Sequence, residues 1–313
     1  MDALAHHVGA CAPPIRKGDL VTKPHAHVLE DIHRRLVDPR DLVGVHDLAG
    51  GQGTGEAGQH VELGRAAAAP PGGAPAQATC RYAEGKLTGG KAWVVGAAGS
   101  QGFLVVAEGD DGPVLVLAEV GAAGLVTNTR AQADGSSLGE LSFSATPAEE
   151  LASGAAVRNA LAEAVADATA LAAAELVGLC QRAFEITLDY IKTREQFDKP
   201  IGSFQVIQHR AVDLNVMCEV AQAGVREVLA RMDGETDANT RSRLASRAKA
   251  RAVTAARKVT RDAIQLHGAV GYTDEFDIGL YMNRALVLSA WLGDDAYHRR
   301  AWFDAREEEG AAQ

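Results

Sequence analysis

Beyond residue 150 the chain repeats apolar side chains at every third or fourth position, and this periodicity constrains its fold more than any other feature. Leu176, Leu179, Cys180, Ala183, Tyr190 and Ile191 fall on one face of a first helix. Leu214, Met217, Cys218, Ala221, Val225, Val228 and Met232 do the same in a second. Ala248, Ala252, Ala255, Val259, Ala263 and Leu266 make a third stripe, whose small side chains permit close helix approach. Long helices with short connections predict an up-and-down four-helix bundle over residues 151–307, with 308–313 as a tail. Gly268 and Gly271 are expected to stop the third helix, and Thr273, Asp274 and Glu275 to supply the N-cap and acidic first turn of the next.

Residues 80–150 follow a different grammar. "KAWVVGA", "GFLVVAE" and "GPVLVLAEV" are short β-branched runs separated by turn residues, and "LGELSFSA" alternates apolar with polar. This predicts a small, mainly antiparallel β domain, so the fold class is α+β. Residues 1–79 obey neither rule. They hold seven of the ten histidines among Gly, Ala and Pro clusters, and Pro39 interrupts their one helix-like run. His/Pro/Arg/Gly/Ala-rich text of this kind is what a GC-rich gene yields when read out of frame. The segment reads as irregular, disordered or mis-translated.

A net charge of −10 argues against nucleic acid or an anionic membrane as the main partner. The cysteines Cys11, Cys80, Cys180 and Cys218 form no CxxC pair, which fits a reducing, cytoplasmic setting. No apolar run reaches the roughly 18 residues of a membrane span. Gly53–Gly58 spells GxGxxG, but Pro70-Pro71 leaves no room for the helix a dinucleotide site requires. His25, His27, Asp31 and His33 have metal-binding side chains without an element to hold them, so no metal site is assigned. Cys180 and Cys218 lie on apolar stripes and read as core residues.

The remaining signals lie in the helical part. In "YIKTREQFDKPIGSFQVIQH", Arg194 carries a planar charged fork suited to phosphate, beside Gln196, Phe197, Gln205 and Gln208. "QLHG" marks a second helix end, where Gly268 lets a ligand approach the backbone. Singly, such residues are more often caps or surface positions than ligand contacts.

Jointly, these residues resemble the acyl-CoA dehydrogenase family of flavoproteins. The resemblance rests on "YIKTREQFDKPIGSFQVIQHRAVDL", "AIQLHGAVGYTDEFDIGLYMNRA" and "WLGDDAYHRR", and on the spacing between them. "LTGGKAWVVGAAGSQGFLVVAE" looks like the family's middle domain, and "LGELSFSATPAEEL" like the strand leading into its final bundle. It covers roughly residues 80–307; the family's N-terminal helical domain is not recognisable in 1–79. The resemblance implies FAD as cofactor, an acyl-CoA substrate from fatty acid or sterol catabolism, and a homo- or hetero-oligomer, dimer or tetramer. It also implies that one subunit's bundle completes a neighbour's flavin site. Arg194, Gln196, Phe197, Gln205, Gln265 and Gly268 match flavin-contacting positions, and Trp93 matches the tryptophan beside the flavin ring.

The departures are equally specific. The family's catalytic glutamate falls at Leu292, which cannot accept a proton. Some members carry the base near the position of Ala168; Asp167 is adjacent but about 100° round an ideal helix, and Glu175 lies two turns away. Asp294 replaces a threonine or serine, Val95 a threonine, and Asp198 and Ala269 glycines. The loop that hydrogen-bonds the flavin before the Trp93 strand is not identifiable. Without a base, α-proton abstraction loses on the order of 10²–10⁴ in rate. Three readings follow: a dehydrogenase homologue with its base lost, a non-catalytic subunit completing the FAD site of a heteromer, or a monooxygenase or oxidase relative.

Overall fold

The computed structural model describes residues 63–64 and 80–311. The GxGxxG stretch, the histidine cluster and the irregular character expected of 1–79 lie outside the described residues, except for strand β1 (Leu63–Gly64). From Cys80 the β strands follow in chain order: β2 (Cys80–Ala83), β3 (Lys86–Val95), β4 (Gly102–Gly109), β5 (Gly112–Glu119), β6 (Leu125–Ala131), β7 (Ser137–Pro147) and β8 (Glu149–Ser153). They form one sheet in the order β6-β7-β3-β2-β4-β5-β8, with β1 also on β4. The pairing is antiparallel as expected, save that β1 and β2 run parallel to β4, so the sheet is mixed.

Burial explains the strand text. Along β7, Gly139, Leu141 and Phe143 are buried, alternating with exposed Glu140, Ser142 and Ser144, the period-2 signature of a one-sided strand. β4 instead is buried on both faces, which is why "FLVVA" is an unbroken apolar run. Phe103, Val105 and Ala107 pack into one cluster with Leu87, Val116 and Leu141. Leu104 and Val106 pack into another with Leu115 and Val157. Each of these large side chains contributes about 1.5–3 kcal/mol by leaving water.

The helical part begins with α1 (Ala155–Thr193), a single helix of 39 residues. A two-residue hairpin follows, β9 (Glu195–Gln196) against β10 (Lys199–Pro200), then a 3₁₀ turn at Ile201–Ser203. α2 (Gln205–Met232), α3 (Ala238–His267), α4 (Ile278–Ala290) and α5 (Asp295–Ala311) complete it. The described residues thus carry α5 in addition to the four expected helices, and it runs on into the stretch read as a tail. Among the described residues, those up to 166 form one compact unit with the sheet, and those from Asp167 form the second. The first turns of α1 belong to the former.

The three stripes are buried apart from half-buried Leu179, Tyr190 and Met217, α3 most completely, with Ala252, Val253, Ala256, Val259 and Ala263 all at 0 % exposure. Gly202 is needed where the 3₁₀ turn meets α1: a Cβ there would stand 2.8 Å from the Ile191 carbonyl oxygen. One expectation fails. Thr273 does not cap the following helix; its hydroxyl turns back to donate to the Val270 carbonyl at 2.8 Å. A second 3₁₀ turn, Gly268–Tyr272, uses up the residues after α3, and α4 starts only at Ile278.

Candidate functional site

The polar corner after α1 is a tight hairpin. Phe197 and Asp198 form its two-residue tip, at φ 56° and 63°. Such a turn favours Asn-Gly, because both positions need the left-handed region. Phenylalanine there is strained by about 1 kcal/mol, and its ring is 86 % exposed. The hairpin is anchored by Arg194 N–H donating to the Tyr190 carbonyl and Ile201 N–H to the Arg194 carbonyl, both at 2.8 Å. Lys199 lies over the Phe204 ring, 4.3 Å from its centroid. Arg194, Gln196 and Gln205 are exposed. Among the described residues the Arg194 guanidinium has no partner, whereas the Gln208 amide is committed to the Gly202 carbonyl at 3.1 Å.

The second helix end is brought beside this corner. Tyr190 of α1 stacks on His267, the last residue of α3, with centroids 4.3 Å apart. Gln265 is exposed on the same turn. Gly268 takes φ 68°, and nothing lies within 4 Å of a Cβ built on it. A guanidinium, exposed amides and an open glycine backbone suit a pyrophosphate, so the bundle's donor set fits the implied cofactor.

Trp93 belongs to the sheet unit. The pairing of β3 with β7 shifts register between Lys91 and Val94, a bulge that sets Trp93 at φ 62° and leaves its ring 52 % exposed. Lys91, just before the bulge, is buried and donates to the Val106 carbonyl at 2.7 Å, where the short β2 no longer pairs with β4. Burial lowers its pKa, partly opposed by the nearby Cys80.

Leu292, where the resemblance would put the family's base, sits between α4 and α5 at φ 60° and only 6 % exposed. Its backbone is pinned by groups the sequence reading missed. Lys249 of α3, with no exposed surface, donates to the carbonyls of Leu288 at 2.7 Å and Trp291 at 2.6 Å, closing the C-terminus of α4. His298 contacts the Leu292 carbonyl through Nε2 at 2.9 Å and Ser246 Oγ through Nδ1 at 3.1 Å. In the neutral ring Nε2 therefore carries the proton and Nδ1 accepts from the hydroxyl. The signal available was a lysine in register with the buried stripe, three and four positions from Ala252 and Ala245. Asp294 caps α5, accepting from Tyr297 N–H at 2.8 Å.

The alternative carboxylates are engaged elsewhere. Asp167 is buried and ion-paired with Arg241. Glu175 accepts from Arg284 Nε at 2.8 Å. Burial beside Cys218 raises the Cys180 thiol pKa well above its usual value, as befits a core residue. The described residues contain no cluster able to hold a metal and no helix long and apolar enough to cross a membrane.

The family description "Acyl-CoA dehydrogenase, C-terminal domain" matches residues 159–303. A solved structure described as a Tcur3481–Tcur3483 steroid ACAD variant is 30 % identical, covers 82 % of this chain and 68 % of its own, and superposes with a TM-score of 0.68. The chain belongs to the acyl-CoA dehydrogenase family. Within this family, the acyl-CoA dehydrogenase IpdE2 of Mycolicibacterium smegmatis is 39 % identical over 132 residues, which are 42 % of this chain and 40 % of that protein. The match thus spans about two fifths of that curated relative's length. The ChsE4–ChsE5 complex of Mycobacterium tuberculosis shares the fold at 23 % identity and a TM-score of 0.66, covering 82 % of this chain and 66 % of its own.

Proposed function

We propose that this acyl-CoA dehydrogenase homologue is a non-catalytic subunit that completes the FAD site of a catalytic partner. The observation that carries this is Leu292: the base position is apolar, buried and left-handed, while Asp167 and Glu175 are tied to arginines. FAD, when bound, accepts the β hydride of an acyl-CoA thioester. This chain's part is to hold the pyrophosphate with Arg194, Gln196, Gln205, Gln265 and the open backbone at Gly268, with Phe197 as an aromatic wall. Trp93 is the residue proposed to face a flavin ring.

A distance within one helix supports the division. Lys249, which pins the Leu292 corner, and Gln265, at the grip, lie 16 positions apart on α3. That is about 24 Å along the axis, a separation that supports grip and base position serving different flavins. Two of the structural neighbours carry paired subunit names, which favours a heteromer. The substrate class is an acyl-CoA bound at the partner's site, and the setting is cytoplasmic.

The test is spectral. The purified chain is expected to be colourless, and to become part of a yellow complex only when prepared with a family partner. A chain that purifies yellow by itself and bleaches with an acyl-CoA overturns the proposal. Leu292→Glu sharpens the test: in the chain alone it is expected to bring no acyl-CoA-dependent bleaching. Bleaching by that variant would make the missing base the sole defect of a self-sufficient enzyme.

A further inference from the structure

The proposed pyrophosphate grip is split between two helices. Arg194, Gln196 and Phe197 follow the end of α1, and Gln265 and Gly268 mark the end of α3. Something must fix the spacing between them, since a bidentate grip tolerates little misplacement. One pair of residues bridges the two ends. The Tyr190 and His267 rings stack with an interplanar angle of 20°, and Phe276 closes edge-on against both, at 5.5 and 5.4 Å.

The polar atoms of this pair are aimed at the helix ends. His267 ends α3 and is the N-cap of the Gly268–Tyr272 turn; the Tyr190 hydroxyl, reaching across from α1, donates to its carbonyl at 3.2 Å. From the other side, the Arg194 hairpin hangs from the Tyr190 carbonyl through the Arg194 N–H. One residue thus holds both halves of the grip, by its hydroxyl and by its backbone. The imidazole is 3 % exposed, and Nδ1 lies 2.8 Å from the Ala263 carbonyl. That carbonyl requires Nδ1–H, which leaves Nε2 a buried acceptor with no hydrogen bond among the described residues. The neutral ring is a flat partner for Tyr190, held in its orientation by the Nδ1–H bond to Ala263.

We infer that Tyr190 and His267 form a joint that sets the spacing between the Arg194 hairpin and the Gln265–Gly268 helix end. They are positioning residues for the cofactor grip, not ligands of it. The inference rests on the proposed reading that this grip holds a flavin pyrophosphate.

Two ring-preserving variants test it. Tyr190→Phe removes only the hydroxyl, and His267→Phe keeps a stacked ring. Three quantities are measured in each: the melting temperature, amide hydrogen exchange at Arg194 and Ile201, and FAD affinity by titration of the complex with its partner. Tyr190→Phe is expected to speed exchange at both amides and to weaken FAD binding about tenfold, the equivalent of one lost hydrogen bond. His267→Phe is expected to leave both within about twofold of wild type, because ring stacking and the carbonyl contact survive. In Tyr190→Phe, a lowered melting temperature with wild-type exchange and affinity in the folded fraction marks a general structural role and overturns the joint. Unchanged exchange in Tyr190→Phe overturns it as well. If no preparation takes up FAD, the reading of function fails, and the exchange measurement still decides whether Tyr190 sets the hairpin.

Discussion

A lysine without exposed surface has to find acceptors for its ammonium, and Lys249 finds them at the end of α4, where, as at any helix C-terminus, the last carbonyls lack intrahelical donors. Lys249→Met removes both bonds and strands the two carbonyls, so a loss of about 2–4 kcal/mol is expected by urea titration. His267 makes a different prediction. Burial holds its pKa below 6.5, opposed only by the Ala263 carbonyl. The unfolded chain therefore takes up a proton first as pH falls. The stability this neutral ring brings is complete above about pH 6.5, and is lost as pH drops from there through the folded value. His267→Phe is expected to flatten the melting temperature over that range; an unchanged slope counts against it.

Among elements, the β9–β10 hairpin separates folding from function most cleanly. Phe197 is almost wholly exposed and left-handed, so Phe197→Gly gives up no core and relieves the backbone. Stability is expected to hold or rise by up to about 1 kcal/mol in thermal melts, while flavin affinity in the complex falls. Loss of both stability and affinity would assign the ring a folding role. The elements themselves were largely legible: stripes gave α1, α2 and α3, and β-branched runs gave β3, β4 and β5. What sequence periodicity could not show was the mounting of the site. Lys249 meets carbonyls 39 and 42 residues away, and Tyr190 meets His267 77 residues on. Such pairings follow from the packed helices rather than from local spacing. Thr273 misled for the opposite reason: its side chain suited a cap, but the 3₁₀ turn before it offered a nearer acceptor.

For the whole molecule, the resemblance carried more than local propensity could. Trp93, Phe197 and Leu292 all adopt φ values that non-glycine residues avoid, so propensity alone argues against each of their conformations. If this chain lends its grip and holds no reactive flavin of its own, the complex with its partner should contain flavin at half the total chain concentration. Absorbance of the released cofactor against chain concentration checks this, and one flavin per chain overturns it. The division of contacts also bears on how the protein is made. The sheet's second face is covered by Val157, at the very start of α1, so that unit has all its parts soon after β8 leaves the ribosome. The bundle waits much longer: Asp167 needs Arg241, Tyr190 needs His267, and Glu175 needs Arg284, 109 positions later. During synthesis, then, α1 emerges with its apolar stripe bare until α3 and α4 follow, and that interval is when the nascent chain most needs a chaperone.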